Sequence, residues 1–309
     1  VSVKSYANIA IVKYWGKADA ERMIPSTSSI SLTLENMYTE TKLSFLPEDA
    51  TGDVMYIDDE LQGEKETIKA SKVLDLFRTN PNQHVKIETW NNMPTAAGLS
   101  SSSSGLSALV KAANELFQVG KTQSELAQIA KFASGSSSRS FFGPLAAWDK
   151  DSGEVYQVET DLKLAMIMLV LTDKKKPVSS RDGMKLCTET STSFPEWIKQ
   201  SEQDYEDMLG YLKSNDFQAV GELTEANALR MHQTTSTANP PFSYLTDASY
   251  QAMDKVKALR ASGEQCYFTM DAGPNVKVLC LEEDLDRLAD HFRKDYQVIV
   301  SRTKELPDA

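Results

Sequence analysis

Residues 91–105 read NNMPTAAGLSSSSSG, a segment of small residues that ends in five consecutive serines and a glycine. Such a segment is either a flexible linker or a turn whose backbone approaches a ligand closely. It follows an alternating segment, residues 84–90, and precedes residues 106–117, in which apolar side chains recur every three or four positions. A flexible linker is not expected to lead directly into the apolar pattern of a helix. We therefore predict a turn between a strand and a helix.

A small-residue turn that enters a helix is typical of an anion site. The start of a helix exposes backbone N–H groups and the positive end of the helix dipole, and serine hydroxyls add hydrogen-bond donors. The Walker A pattern G-x-x-x-x-G-K-[ST] is absent from the chain. From these residues alone, a phosphate-binding loop and a purely structural turn both stay open.

The composition is that of an acidic globular protein. The chain has 309 residues, of which 41% are hydrophobic and 25% are charged, and a formal net charge of -11. This charge argues against nucleic-acid binding, which needs a basic face. It also means that any phosphate ligand must be bound by a local cluster of cations. The longest apolar run, residues 164–171, is too short to span a bilayer.

The cysteines and the N-terminus indicate a reducing compartment. Cys187, Cys266 and Cys280 are an odd number of cysteines at unrelated spacings, without the C-x-x-C pairs of a zinc site. The first residues show no basic segment followed by an apolar one and a small-residue cleavage site. We therefore expect a cytoplasmic protein.

Hydrophobic periodicity predicts an α+β chain of two fused lobes, residues 1–179 and 180–309. In the first lobe we predict strands at residues 27–35, 39–46 and 84–90, a hairpin formed by residues 54–58 and a turn around Gly63, and helices at residues 65–78, 106–117 and 122–134. Thr122 and Glu125 have the spacing of a capping box. In the second lobe we predict helices at residues 194–215, 216–235, 244–262 and 282–294, and strands at residues 266–270, 276–280 and 297–301. No linker rich in proline or glycine separates the lobes, so we expect them to pack tightly.

Two segments of the first lobe carry candidate cations. Lys13 and Lys17 flank Y-W-G in IAIVKYWGKADA, residues 9–20, where two solvated lysines at a strand end are the alternative to a binding site. Arg139 lies in SGSSSRSFFG, residues 134–143. Its planar guanidinium suits a carboxylate or a phosphate, and the neighbouring serines supply short hydrogen-bond donors.

Two later segments carry further candidates. KKKPVSSRDGM, residues 174–184, is predicted to be a polar loop, either a solvated run of charges or a mobile lid. In FTMDAGPNVK, residues 268–277, Asp271 follows an apolar strand and precedes a rigid turn. Catalytic groups often lie at such positions, and an aspartate that caps the turn is the alternative. The histidines, His84, His232 and His291, occur singly and are interpreted as structural. The patterns G-x-S-x-G and H-E-x-x-H are absent.

In order and spacing, five segments resemble the motif series of the diphosphomevalonate decarboxylase family, a branch of the GHMP kinase superfamily: ANIAIVKYWGK, NNMPTAAGLSSSSSG, SGSSSRSFFG, VSSRDGM and MDAGPNVK. The similarity covers nearly the whole chain, and Y-W-G-K and D-A-G-P-N are specific to this family within the superfamily. GLSSSSSG lacks the alanines that relatives usually intersperse, and SGSSSRS has serine where many have Ala-Cys. Both departures replace small residues by small residues.

The resemblance implies a fold and a reaction. The implied fold is the α+β GHMP kinase fold, with a ribosomal-S5-like N-terminal lobe, a ferredoxin-like C-terminal lobe and the site between them. In the implied reaction, ATP phosphorylates the tertiary 3-hydroxyl of mevalonate 5-diphosphate, and phosphate and CO2 then leave to give isopentenyl diphosphate and ADP. Mg²⁺ would accompany the ATP. We expect a homodimer that binds these small molecules and neither nucleic acid nor a membrane.

The resemblance also implies roles for individual residues. Asp271 would orient or deprotonate the hydroxyl, Lys17 would lie close to Asp271, and Arg139 would hold the substrate carboxylate. The implied substrate-binding residues are Tyr14, Trp15, Gly16, Lys17, Lys65, Ser134, Gly135, Ser136, Ser137, Ser138, Arg139, Ser180 and Arg181, with Lys65 the weakest match. The implied nucleotide-binding residues are Pro94, Ala97, Gly98, Leu99, Ser100, Ser101, Ser102 and Ser103. No ligands for Mg²⁺ are assigned.

Two alternatives to this reaction stay open. One is a kinase on the same scaffold that stops after phosphorylation, and the other is a catalytically inactive ligand-binding protein. A plain kinase has no need to hold a carboxylate, so the presence of Arg139 together with Asp271 favours the full reaction.

Overall fold

The computed structural model describes residues 1–93, 101–171 and 178–307, without the side chains of residues 101 and 102. Its strands are β1 (Ser2–Val12), β2 (Lys17–Asp19), β3 (Ile24–Pro25), β4 (Ser29–Phe45), β5 (Val54–Ile57), β6 (Glu60–Leu61), β7 (Val85–Asn91), β8 (Leu145–Trp148), β9 (Val155–Val158), β10 (Leu164–Val170), β11 (Cys266–Thr269), β12 (Val276–Leu281) and β13 (Gln297–Arg302). Its helices are α1 (Glu64–Asp75), α2 (Ser101–Leu116), α3 (Gln123–Ala133), α4 (Ser180–Thr190), α5 (Phe194–Lys213), α6 (Phe217–Ser236), α7 (Asp247–Ala261) and α8 (Leu285–Arg293). None of these helices is long and apolar enough to cross a membrane. The α+β prediction is confirmed.

The first sheet is built around β4. Its strand order is β6-β5-β7-β4-β8-β9, and β1 also pairs with β4. Sequence periodicity predicts two strands here, residues 27–35 and 39–46, but β4 runs without a break through both. The alternation is interrupted because Glu35 and Asn36 are exposed in mid-strand, close to where the pairing of β1 shifts register. A long strand with a local irregularity therefore looks like two strands in the sequence.

Two local predictions in the first lobe have opposite outcomes. The turn of the β5–β6 hairpin lies at Asp58 and Asp59, which have positive φ angles of 48° and 68°. The predicted turn around Gly63 is wrong, because this glycine is the N-cap of α1. The capping box of α3 is confirmed, since the Glu125 N–H donates to the Thr122 hydroxyl and the Thr122 N–H donates to the Glu125 carboxylate.

The second sheet has the strand order β11-β12-β10-β13, and all its pairs are antiparallel. β10 pairs with β12 on one side and with β13 on the other. This strand comes before residue 180, so the second sheet begins ahead of the division predicted between residues 179 and 180. Its continuous apolar sequence follows from its central position, because both faces are buried.

Residues 180–184 are helical and not part of a polar loop, so this part of the loop prediction is wrong. Ser179 is the N-cap of α4, and its hydroxyl accepts a hydrogen bond of 3.0 Å from the Asp182 N–H. A serine three residues before an aspartate is a helix-start signal. Residues 172–177, which include the predicted lysine run of the lid, lie outside the described residues.

The two lobes share a hydrophobic core. It includes Ile9 and Leu32 of the first sheet, Met166 of the second sheet and Tyr205 of α5. The end of the chain also returns to the first sheet, where the Lys304 N–H donates to the Thr33 carbonyl at 2.9 Å. The predicted tight packing of the lobes is confirmed.

Candidate active site

Asp271 is the centre of a buried cluster of charges. Its Oδ1 lies 2.8 Å from the Lys13 ammonium at the end of β1, and its Oδ2 lies 3.4 Å from the Lys277 ammonium on β12. The lysine side chains are 4% and 0% exposed, whereas the Asp271 side chain is 24% exposed. The two ammonium groups therefore enclose the carboxylate from within the protein while part of it stays accessible.

The charge state of Asp271 follows from this enclosure. Burial alone would raise the pKa of the carboxyl, but the attraction of Lys13 and Lys277 outweighs burial and holds its pKa well below the usual range. Burial lowers the pKa of Lys13 below that of a free lysine, and the contact with Asp271 opposes this decrease. At neutral pH Asp271 is a carboxylate.

The prediction that Lys17 lies beside Asp271 is wrong, because Lys13 and Lys277 occupy that place. The alternative interpretation, two solvated lysines at a strand end, is wrong for Lys13, because this residue is 3% exposed. Lys13 and Lys17 flank the same three residues, and nothing in the sequence tells which ammonium points inward. A signal for Lys277 was present: a lysine inside the apolar strand V-K-V-L-C is buried, and a buried ammonium needs an anionic partner.

Arg139 lies on the short 3-10 turn Gly135–Phe141 that follows α3. Its Nε donates to Asn8 Oδ1 at 3.2 Å and a terminal nitrogen donates to the Ser29 hydroxyl. Burial lowers the pKa of Arg139 to about 10, with Asp271 opposing the decrease, so the guanidinium stays charged at neutral pH. The prediction from sequence did not include Asn8. Its amide also donates to Ser136 O and to the Ser140 hydroxyl, which holds the turn against β1.

Tyr14 joins the KYWGK segment to the Arg139 turn. A Cβ placed on Gly135 would lie 2.6 Å from Tyr14 Cε2, so only glycine allows this approach. Burial raises the pKa of Tyr14, and the nearby charges of Arg139 and Arg181 oppose the increase. The Tyr14 hydroxyl is buried and has no hydrogen-bond partner among the described residues. The structure therefore brings the predicted residues Tyr14, Gly135, Arg139 and Arg181 together.

Lys17 and Arg181 form a second, outer pair of cations. Lys17 lies on β2 and is partly exposed, and Arg181 is exposed in the first turn of α4. Burial, and then the positive charge of Arg181, lower the pKa of Lys17. Neither residue has an ion-pair partner within the parts of the chain that the structure describes. In a protein with a net charge of -11, such a pair indicates an anion site.

Several other residues predicted to bind substrate contact neighbouring residues of the protein. The Trp15 indole donates to the Thr234 hydroxyl at 2.9 Å, and a Cβ on Gly16 would lie 2.4 Å from Phe194. The hydroxyls of Ser137 and Ser138 donate to the carbonyls of Ser134 and Gly135. The hydroxyl oxygens of Ser134 and Ser136 lie 3.1 Å apart and share a hydrogen bond. Ser180 and Lys65 are exposed at the starts of α4 and α1. The substrate contacts predicted for these positions stay predictions.

The predicted nucleotide site lies largely outside the described residues. This holds for Pro94, Ala97, Gly98, Leu99 and Ser100, and for the side chains of Ser101 and Ser102. Ser103 is described, and its hydroxyl accepts a hydrogen bond of 3.3 Å from the Asn8 N–H. The start of α2 therefore lies against β1, the strand that carries Asn8 and is followed by Lys13. In the described ranges, no group of three or more histidine, cysteine, aspartate or glutamate residues could hold a metal ion.

Two family sequence models match the chain, one in each half. Residues 5–158 match the diphosphomevalonate decarboxylase-like N-terminal domain, and residues 166–307 match the mevalonate 5-diphosphate decarboxylase C-terminal domain. The chain belongs to the diphosphomevalonate decarboxylase family. The second match includes β10, in agreement with the pairing of that strand in the second sheet.

Solved structures and curated sequences of this family are similar to most of this chain. The structure of mevalonate pyrophosphate decarboxylase from Streptococcus pyogenes is 67% identical, with a TM-score of 0.96 and coverage of 100% of this chain and 98% of that one. MDDEF, in complex with MVAPP, AMPPCP and magnesium, is 40% identical, with a TM-score of 0.91 and coverage of 98% and 96%. Diphosphomevalonate decarboxylase of Saccharomyces cerevisiae is 33% identical over 318 residues, which are 93% of this chain and 79% of the yeast protein. The fold is that of these decarboxylases.

Proposed function

We propose that this chain catalyses the ATP-dependent decarboxylation of mevalonate 5-diphosphate to isopentenyl diphosphate, ADP, phosphate and CO2. The observation that carries the proposal is the Asp271 carboxylate, held between two buried ammonium groups and accessible on one side. Family membership supplies the substrates, and the charge pattern of the site supports them. A substrate with a diphosphate and a carboxylate needs several cations, and these are present at Arg139, Lys17 and Arg181.

Asp271 acts on the 3-hydroxyl of the substrate. A tertiary alcohol is a poor nucleophile and a very weak acid, and a carboxylate with a low pKa is a weak base. Proton transfer to Asp271 is therefore expected to accompany formation of the O–P bond, when the hydroxyl becomes acidic. Before that step the carboxylate orients the hydroxyl by accepting its hydrogen bond. The 3-oxygen then carries the transferred phosphoryl group and becomes a leaving group.

Arg139 holds the substrate carboxylate. Two of its nitrogens bind Asn8 and Ser29, so the guanidinium plane is fixed before substrate arrives. The other terminal nitrogen has no hydrogen-bond partner in the described parts of the chain and can donate to the carboxylate. In the elimination, the C–C bond to the carboxylate breaks, its electron pair forms the new double bond, and phosphate leaves with the 3-oxygen. A fixed carboxylate keeps the breaking C–C bond aligned with the departing phosphate.

The outer cations and the start of α2 fit the phosphates. In this proposal, Lys17 and Arg181 bind the diphosphate of the substrate, and the serine-rich motif of residues 100–104 binds the phosphates of ATP. Since the described residues offer no cage of carboxylates, Mg²⁺ is taken to enter with ATP as the MgATP complex. Mg²⁺ bound with ATP would neutralise charge on the phosphates that react.

Assembly and location are further parts of the proposal. A homodimer is proposed on the resemblance to the family. A cytoplasmic location is supported by the three cysteines, which are free and buried and need no oxidising compartment.

The test of this function is the release of CO2 from carboxyl-labelled mevalonate 5-diphosphate, with ADP measured in the same reaction. We expect one CO2 for each ADP. ADP without CO2 would mean that the chain is a kinase that stops at phosphorylation. If neither ADP nor CO2 forms with any phosphorylated or free mevalonate, the result would support the ligand-binding alternative.

Arg139→Lys is expected to remain strongly impaired although it keeps a positive charge. An ammonium cannot donate in the plane of a guanidinium, and the contacts with Asn8 and Ser29 are lost as well. Loss of a charged hydrogen bond costs about 1.5 to 3 kcal/mol, so turnover should fall roughly 10- to 150-fold. Steady-state kinetics give the value. Turnover near that of the wild type would show that the arginine does not align the carboxylate.

Gly135→Ala is expected to lower turnover by displacing Tyr14. The new methyl group would lie 2.6 Å from the tyrosine ring, and a shift of about 1 Å near the reacting groups costs up to ~10²-fold in rate. The matched control is Gly210→Ala on α5, where the added Cβ meets nothing within 4 Å. The control should keep its turnover and gain about 0.4 to 1 kcal/mol of stability. Equal turnover in both variants would show that the position of Tyr14 does not affect the reaction.

A further inference from the structure

Helix α6 holds the backbone on both sides of the Lys13–Asp271 ion pair. On one side, Asn227 Oδ1 accepts a hydrogen bond of 2.8 Å from the Lys13 N–H. On the other side, His232 Nε2 lies 3.1 Å from the carbonyl of Met270, the residue before Asp271. Asn227 is 0% exposed and His232 is 7% exposed. Two buried polar side chains of one helix thus each bind the main chain next to one member of the pair.

We infer that α6 aligns the ion pair, and that Asn227 and His232 are positioning residues that set where the Lys13 ammonium and the Asp271 carboxylate meet. The inference rests on the proposed function, because it concerns the alignment of the group that acts on the substrate hydroxyl. Neither side chain needs to touch substrate. Their positions five residues apart correspond to about 7.5 Å along a rigid helix. A helix of this stiffness fixes the distance between two segments that belong to different lobes.

The orientation of Asn227 is fixed by its second contact. Its Nδ2 donates to Asp204 Oδ2 at 2.9 Å, and Asp204 is 1% exposed. Asp204 also forms an ion pair with Arg230 and accepts a hydrogen bond of 3.0 Å from Gln200. A carboxylate only accepts hydrogen bonds, so the NH2 group of Asn227 must face Asp204 and its oxygen must face the Lys13 N–H. The polar network of α5 and α6 therefore presents a fixed acceptor to the end of β1.

The tautomer of His232 is fixed in a similar way. The Met270 carbonyl only accepts, so Nε2 carries the hydrogen and donates it. Burial, reinforced by the nearby lysines, lowers the pKa of His232 to about 4, so the ring is neutral at pH 7. The edge of the ring also packs against Tyr244, with 6.4 Å between the ring centres. The Tyr244 hydroxyl donates to the Ser179 carbonyl at 2.9 Å, which connects this side of the site to the start of α4 and Arg181.

A pair of His232 variants tests the inference. His232→Gln keeps an N–H donor near the position of Nε2, whereas His232→Met has a similar volume and no donor. We expect His232→Met to lower kcat by at least ~10-fold while the KM values for ATP and mevalonate 5-diphosphate change less than about 2-fold. His232→Gln should regain most of the lost kcat. Gln233→Met, an exposed position on the same helix, is the matched control and should equal the wild type.

The outcomes separate alignment from a general role in folding. Wild-type kcat in His232→Met, or equal impairment of the folded Met and Gln variants, would overturn the inference. If His232→Met does not fold, Asn227→Ala carries the test from the Lys13 side, with the same expected loss of kcat at nearly constant KM. A wild-type kcat there would again overturn it. CO2 and ADP are both measured. If the wild-type chain forms ADP alone, the proposed decarboxylation is contradicted, but the rate of ADP formation in the variants still tests the alignment of the ion pair. A wild-type chain that forms neither overturns both.

Discussion

Replacing Asp271 by asparagine is expected to slow turnover by ~10² to 10⁴-fold, the usual cost of losing a general base. Asparagine keeps the shape of the side chain but has neither the negative charge nor the proton acceptor. The cations proposed to bind the substrate anions, Arg139, Lys17 and Arg181, are unchanged. Dissociation constants for ATP and mevalonate 5-diphosphate, measured by titration calorimetry, should therefore stay close to those of the wild type.

The folding of this variant has to be followed beside its activity. Asp271→Asn leaves the ammonium groups of Lys13 and Lys277 without the carboxylate that they enclose, and breaking a buried ion pair typically costs about 3 to 5 kcal/mol. Thermal unfolding should thus show a lower Tm. The control is Asp254→Asn on the exposed face of α7, which should change neither Tm nor turnover. Substantial turnover by Asp271→Asn, or loss of substrate binding by a folded variant, would contradict the assigned role.

Lys13→Met is expected to move the acidic limb of the kcat/KM profile to higher pH. Lys13 and Lys277 hold the pKa of Asp271 below its usual range, against the opposing effect of burial. Removing Lys13 takes away one of these attractions and leaves burial, so the pKa of the carboxyl rises. A close opposite charge typically shifts a carboxyl by about 1 to 3 units. Activity that depends on the carboxylate is then lost at a higher pH than in the wild type, and turnover at the optimum should also fall roughly 10- to 150-fold.

The matched control for Lys13 is Lys17, the other lysine of the same segment. Lys17 has no ion pair with Asp271, so Lys17→Met should raise the KM for mevalonate 5-diphosphate without moving the acidic limb. The acidic limb of kcat/KM reports the free enzyme, so substrate binding does not obscure the comparison. A shift of the limb in Lys17→Met and none in Lys13→Met would restore the arrangement predicted from sequence and contradict the structure.

The parts of the fold that sequence reasoning predicted are those that local patterns determine. The capping box of Thr122 and Glu125, the helical stripe of α2 and the apolar strands β11 and β12 depend only on neighbouring residues. Two exceptions have different causes. β4 looks like two strands because exposed residues interrupt one long strand. The helix start at Ser179 was a local signal that sequence reasoning did not use.

The site was predicted where residue type limits the chemistry. Asp271 at a strand end and Arg139 in a small-residue turn were candidates by position and residue type, and the resemblance to the family implied their roles. The partners that hold these groups come from distant parts of the chain. Asn8 binds Arg139 across 131 positions and Lys13 binds Asp271 across 258 positions. Buried polar residues of α6 such as Asn227 and His232 were missed for the same reason, since their partners are main-chain groups that no sequence pattern reveals.

Single-turnover analysis of Asp271→Asn measures directly whether this carboxylate activates the hydroxyl for phosphoryl transfer. The enzyme is mixed in excess with ATP and carboxyl-labelled mevalonate 5-diphosphate, and ADP and CO2 are quantified in each quenched sample. Decarboxylation cannot precede phosphorylation of the hydroxyl, so the rates of ADP and CO2 formation should fall together by the same factor. ADP formed at the wild-type rate with CO2 alone lost would place Asp271 in the elimination step and contradict its role as the group that activates the hydroxyl.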